Sequence, residues 1–286
     1  MKKWILGARP RTLPAAIAPV LVGTSLAHSD SISISWLNAF LALGVSLLLQ
    51  IAVNYANDYS DGVRGTDEVR VGPIRLVASG MASAGAVKRA AYFTFFVAAI
   101  LGSVLALRTS LWLLAVGALA IVAAWKYTGG KNPYGYQGFG EISVFIFFGL
   151  VATMGSYFAQ SEKLTGTSFL IAIPIGALSC ALLAINNLRD LPKDKEVGKL
   201  TLAVRLGEVK ARQFFISLLV LAHLCVLLAV VISPWVLVSV LVIPLTIQIS
   251  QKILAGAAGR DLIPLLGKTA RLQLLLSTTL AIALFL

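Results

Sequence analysis

The sequence predicts an all-α membrane protein, a polytopic bundle of about nine transmembrane helices in two related four-helix halves plus a final helix. Three observations lead there. The 286 residues are 58% hydrophobic and only 13% charged, with a mean hydropathy of +0.88, too little polar material to cover a soluble globule. The apolar residues fall in runs long enough to cross a bilayer, which takes about 20 of them. A polar stretch with one amide and acid spacing occurs twice, each time at the exit of such a run.

Taken in order, the runs place spans at about 13–29, 36–56, 89–107, 111–127, 139–159, 168–188, 213–232, 235–251 and 270–286. The opening MKKWILGARPRTLP is interrupted by Arg9, Pro10 and Arg11 and lacks a small-residue cleavage site, so it is not read as a removed signal peptide. The connections are unequal: of 24 Lys and Arg residues, only Arg108 and Lys163 fall on one side and 22 on the other. That bias predicts a cytoplasmic N-terminus, a cytoplasmic site and an external Leu286. The chain reads as one domain, 1–286, with pseudo-repeat halves at about 10–130 and 139–252 and the last helix at 270–286.

The net charge of +12 follows the spans and forms no basic arm, which argues against nucleic acid as a partner. Cys180 and Cys225 lie inside apolar runs and read as buried side chains, not a disulfide or zinc site. His28 and His223 stand alone near or within apolar runs and are read as structural. Glu141, at the start of a span, complements the helix dipole.

Chemistry concentrates in the two polar stretches. In NYANDYSDGVRGTD, Asn54, Asp58 and Asp61 fall at i, i+4 and i+7, so an amide and two carboxylates share a helix face. In NNLRDLPKD, Asn186, Asp190 and Asp194 fall at i, i+4 and i+8. Subtraction gives one offset, 186 − 54 = 132 and 190 − 58 = 132, as expected of two related halves facing one site. Acids at a membrane edge are functional by default, and oxygen ligands of this kind suit Mg2+ shared with substrate phosphates. The cations nearby, Arg64, Arg70, Arg75, Lys126, Lys131, Arg189, Lys193, Lys199 and Arg205, suit a polyanion such as a diphosphate. The run YTGGKNPYGYQGFG from Tyr127 to Gly140 lacks the ending of a nucleotide P-loop and reads either as a substrate-lining loop or as a connection.

At these residues the chain resembles the UbiA superfamily of intramembrane prenyltransferases. The resemblance is carried by RPRTLPAAIAPV (9–20), NYANDYSDGVRGTD (54–67), GPIRLVASG (72–80), YTGGKNPYGYQGFGEISVFIFFG (127–149) and NNLRDLPKDKEVGKLTLAVRLGE (186–208). It is closest to the naphthoate-prenylating branch. The general pattern has an Asp four residues after the position of Asp61, where this chain has Gly65 and offers Asp67 instead, so the role of Asp67 stays open.

The resemblance implies that Asp58, Asp61, Asp190 and Asp194 hold Mg2+, with Asp67 as a further candidate. It implies that Asn54, Asn57, Arg64, Arg75, Lys131, Lys199 and Arg205 serve the diphosphate. Arg11, Tyr127, Tyr136 and Asn186 are candidates for contact with the aromatic acceptor. The implied reaction is transfer of a polyprenyl group from polyprenyl diphosphate to 1,4-dihydroxy-2-naphthoate, with loss of diphosphate and CO2. Prenylation of another acceptor such as 4-hydroxybenzoate is the alternative within this chemistry, and a cation-coupled transporter is the alternative outside it.

Overall fold

The computed structural model describes residues 2–66, 72 and 74–286, and among these every regular element is a helix. A short α1, Lys2–Ala8, bends by 54° into α2 through Arg9 and a single 3-10 turn. The remaining helices are α2 (Pro14–Ser29), α3 (Trp36–Val63), α4 (Ala84–Arg108), α5 (Trp112–Lys126), α6 (Gly140–Ser161), α7 (Gly166–Glu196), α8 (Leu202–Leu206), α9 (Glu208–Val231), α10 (Pro234–Leu254) and α11 (Leu262–Phe285). Each of the nine predicted spans lies on one of these helices. By length and apolarity six qualify as spans, and a seventh if the bent α1–α2 pair is counted as one. The count of nine is therefore approximate: α5 is only 15 residues long, and α11 carries Lys268 and Arg271 in its first half.

Side-chain caps set several starts. Ser35 accepts from the Asn38 amide to open α3, and Ser83 accepts from the Ala86 amide to open α4. Thr165 and Ser168 cap each other's amides at the start of α7. At the end remote from the acidic motifs, Tyr157 donates to Asp30 at 2.5 Å and Arg108 to Asn38 at 2.8 Å. Tying polar groups to one another in this way lowers their cost at a membrane edge.

The centre of the bundle is α7, whose apolar window is 78% buried against 28–39% for the other five spans. Ile171, Ile175 and Leu178 pack there with Phe215 and Leu219 of α9 and Leu272 and Leu276 of α11. Close approach depends on small residues. A Cβ on Gly149 of α6 would lie 2.4 Å from the Gly176 Cα of α7, and one on Gly23 of α2 would lie 2.4 Å from the Thr153 carbonyl oxygen. The backbone of α6 takes a π-helical course over Phe145–Val151 at this contact.

Candidate active site

Both acidic motifs sit in the last turns of long helices, not in loops: α3 and α7 continue to Val63 and Glu196, beyond the predicted span ends at 56 and 188. The two helices end alike. The Thr66 amide donates to the Asp61 carbonyl at 3.2 Å and the Lys199 amide to the Asp194 carbonyl at 2.8 Å, after Gly65 and Gly198, each at φ 72°. This left-handed closure is where glycine is required. It aligns Asp61, Gly65 and Thr66 with Asp194, Gly198 and Lys199 at an offset of 194 − 61 = 133, one more than the spacing of the amides suggested. In that register Asn57 corresponds to Asp190, Asn54 to Asn187, and Asp58 to Leu191.

The side chains agree with the shifted register. Asp58, expected to face a metal, is fully buried and accepts from the amides of Leu76 at 2.8 Å and Val77 at 3.0 Å. Its carboxylate anchors the 74–80 segment, and this geometry revises the expectation for it. Asn57 accepts from the Thr128 hydroxyl at 2.8 Å. Asp61 accepts from the Tyr136 hydroxyl at 2.7 Å and has Arg75 at 3.6 Å. Asp190 receives two hydrogen bonds of 2.7 Å from Arg189, and Lys199 lies 3.9 Å from Asp194. Acids crowded at helix C-termini face the negative end of the dipole, so these cations offset both charge and dipole.

Other expected residues divide between the site and its margins. Asn54 donates to the Ala8 carbonyl at 2.9 Å and the Thr12 hydroxyl at 3.0 Å, fastening the α1–α2 bend to α3. Arg64 donates to the carbonyls of Thr128 and Gly130. Lys131 and Arg205 are exposed, and Arg205 donates to the Leu200 carbonyl at 3.3 Å. Asp67 and Arg70 lie outside the described residues.

The motifs adjoin two spaces. A polar pocket of about 200 Å3 is lined by Thr66, Arg189, Asp190, Lys193, Asp194 and Lys199. A larger, mainly apolar cavity of about 310 Å3 runs between α3, α4, α5, α6 and α7, and its polar lining includes Arg11, Asn57, Tyr127 and Asn186. Tyr136 is absent from that lining. Its ring instead lies between Arg64, 5.3 Å from the centroid, and Lys199, at 4.8 Å. Burial, and then the Asp61 charge, push its hydroxyl well above the usual phenol range, so it remains a neutral donor.

Two contacts escape sequence reasoning. Glu141, expected to complement a helix dipole, is 4% exposed and accepts from Asn187 at 2.8 Å, joining α6 to the second motif. Arg189 is buried with one guanidinium nitrogen unpartnered, and a Cβ on Gly72 would lie 3.2 Å from its Cζ. The repeated motif drew attention to the acids, while both of these pairings join residues far apart in sequence.

The donor set fits Mg2+. Among the described residues no three acidic side chains gather as a ready-made metal cluster, yet Mg2+ usually takes only one or two carboxylates and completes its octahedron with substrate phosphates and water. Asp61 on one helix and Asp190 with Asp194 on the other meet that description, with Thr66 from the first motif lining the pocket of the second.

Comparison with known proteins agrees with the fold. A 1,4-dihydroxy-2-naphthoate octaprenyltransferase of Mycobacterium tuberculosis is 46% identical over 282 residues, covering 99% of this chain and 96% of the relative. A protein of the same name from Escherichia coli is 38% identical over 297 residues, covering 99% and 95%. Among solved structures, a UbiA homologue from Aeropyrum pernix superposes with a TM-score of 0.72 at 16% identity, over 94% of this chain and 97% of that one. One from Archaeoglobus fulgidus, bound to DMAPP and Mg2+, gives 0.64 at 16% identity over 99% of each chain. The model of the UbiA prenyltransferase family matches residues 16–285, and the chain belongs to that family.

Proposed function

We propose that the protein transfers a polyprenyl group from polyprenyl diphosphate to 1,4-dihydroxy-2-naphthoate, releasing diphosphate and CO2 to give demethylmenaquinol. The observation that carries this reading is an acid-and-cation pocket at the ends of α3 and α7, two helices that also line an apolar cavity, in a chain 46% identical over nearly its full length to a relative named for this reaction. The shared helix closures favour Asn57 and Asp61 on one side, and Asp190 and Asp194 on the other, as the oxygen ligands of Mg2+. When bound, Mg2+ would supply charge that stabilises the departing diphosphate. Arg75 and Lys199, beside these acids, meet phosphate oxygens.

The tail lies in the apolar cavity, whose walls keep water from the allylic carbon as its bond to oxygen breaks. Arg11, Tyr127 and Asn186 at the polar part of the cavity face the aromatic acid. The ring carbon that bears the carboxylate attacks the allylic carbon, and loss of CO2 from the same carbon restores aromaticity without a base to take a ring proton. The charge bias of 22 to two supports motifs that face the cytoplasm, and the bacterial relatives suit an inner (plasma) membrane setting.

Purified protein in lipid, given Mg2+, a long-chain prenyl diphosphate and either the naphthoate or 4-hydroxybenzoate, is expected to form product and equimolar CO2 from the naphthoate. Product from 4-hydroxybenzoate alone would move the protein to another acceptor class. A photoreactive prenyl diphosphate is expected to crosslink to α3–α6, which line the cavity, whereas labelling confined to α10 and α11 would refute this tail path.

A further inference from the structure

Tyr136 touches both motif ends. It stands in a 3-10 turn, Tyr134–Gln137, closed by Gly138 at φ 83°. Its hydroxyl donates to Asp61 at 2.7 Å and lies 3.4 Å from the Thr66 hydroxyl, both at the end of α3. Its ring meets Lys199, which follows the end of α7 and lies 3.9 Å from Asp194. Arg64, over the same ring, is held by the Thr128 and Gly130 carbonyls and so comes already fixed.

Each contact changes what an acid can offer. A carboxylate that accepts a hydrogen bond from a fixed phenol is confined to one rotamer, so its other oxygen keeps one direction. A lysine ammonium near a carboxylate tends to close on it as a tight ion pair, and a ring face competes for that ammonium by cation–π attraction. The 3.9 Å separation of Lys199 from Asp194 is looser than a charge-assisted hydrogen bond of about 2.7–2.9 Å.

We propose that Tyr136 is a positioning residue that sets the two acidic motifs for a divalent cation, fixing Asp61 through its hydroxyl and drawing Lys199 off Asp194 through its ring. The proposal rests on the two-motif Mg2+ reading above. It replaces contact with the aromatic acceptor as the role of this tyrosine.

The two functions separate by substitution. Tyr136→Phe keeps the ring and removes the hydrogen bond to Asp61; Tyr136→Leu removes both. Binding of Mn2+ in place of Mg2+ to the full-length protein in detergent, read from the free-ion paramagnetic resonance signal, reports on the site without turnover. Tyr136→Phe is expected to raise the Mn2+ Kd about fivefold, on the order of the rotamer entropy that Asp61 regains, with a slightly lower metal-free melting temperature and an unchanged KM for the aromatic acid. Tyr136→Leu is expected to raise the Mn2+ Kd further and also the KM for prenyl diphosphate, because Lys199 and Arg64 lose their platform. Wild-type Mn2+ affinity in Tyr136→Phe, or a change confined to the KM for the aromatic acid, would overturn the proposal alone. Asp61→Asn is the control: if it binds Mn2+ as tightly as wild type, the two-motif reading fails and this proposal with it.

Discussion

Asp194→Asn is expected to lower prenyl transfer by about a thousandfold, roughly 4 kcal/mol of transition-state stabilisation, with folding preserved. Asp194 lies in the last turn of α7 and lines the polar pocket. An amide in its place keeps the shape and removes one of the three carboxylate charges, those of Asp61, Asp190 and Asp194, that the site offers a cation. Asp58→Asn should behave differently, although the two acids look alike in sequence. Asp58 is fully buried and receives the Leu76 and Val77 amides on separate oxygens. An asparagine sets an NH2 group against one of these donors, and a buried donor left unsatisfied costs about 1–3 kcal/mol. The expected result is a lower melting temperature together with lost activity. Parallel thermal denaturation and initial-rate assays separate the cases: an Asp58→Asn protein as stable as wild type and inactive would return Asp58 to the metal.

Gly149→Val is expected to have the largest effect on stability. Even a Cβ at this position would lie 2.4 Å from the Gly176 Cα. Backbone stands on both sides of the contact, so no side chain can rotate away. Overpacking by a methyl or two costs about 1–3 kcal/mol where neighbours can adjust, and here α6 and α7 must separate instead. Phe147, Phe148 and Val151, in the same π-helical stretch, line the cavity, so the wall shifts as the helices part. Size-exclusion profiles in detergent should show loss of the monodisperse peak. Gly166→Ala, where a Cβ meets nothing within 4 Å, is the matched control and should keep it.

The fold class was legible because the spans are apolar runs, each of which lies on a helix, although six of these helices, or seven with the bent pair, are long and apolar enough to cross a membrane. The α1 helix was not, since seven residues ending before Arg9 carry too short a pattern to stand apart from a loop. It is held instead by packing on Tyr55 and Leu76, which a Cβ on Gly7 would strike at 2.9 and 2.6 Å. Within the site, the repeat was visible but its register was one residue out. Pairing Asn54 with Asn186 matched residue types, whereas hydrogen bonding at the helix ends pairs Asn54 with Asn187. One residue is about 100° of helix rotation, enough to turn Asp58 from the pocket to the 74–80 segment. Tyr136 was legible as a ring near the site, but its neighbours at 64 and 199 meet it only in three dimensions.

The length of α5 ties this site to the material around it. Fifteen residues rise only about 22 Å, against about 30 Å of hydrocarbon in an ordinary bilayer. No residue of α5 is buried, and Trp112 and Trp125 stand near its two ends, where indole rings mark the headgroup level. The helix that forms one wall of the cavity is thus mismatched to its solvent, and the surrounding acyl chains must compress or the helix must be pulled deeper on one side. Bilayer thickness thereby enters the geometry of the cavity.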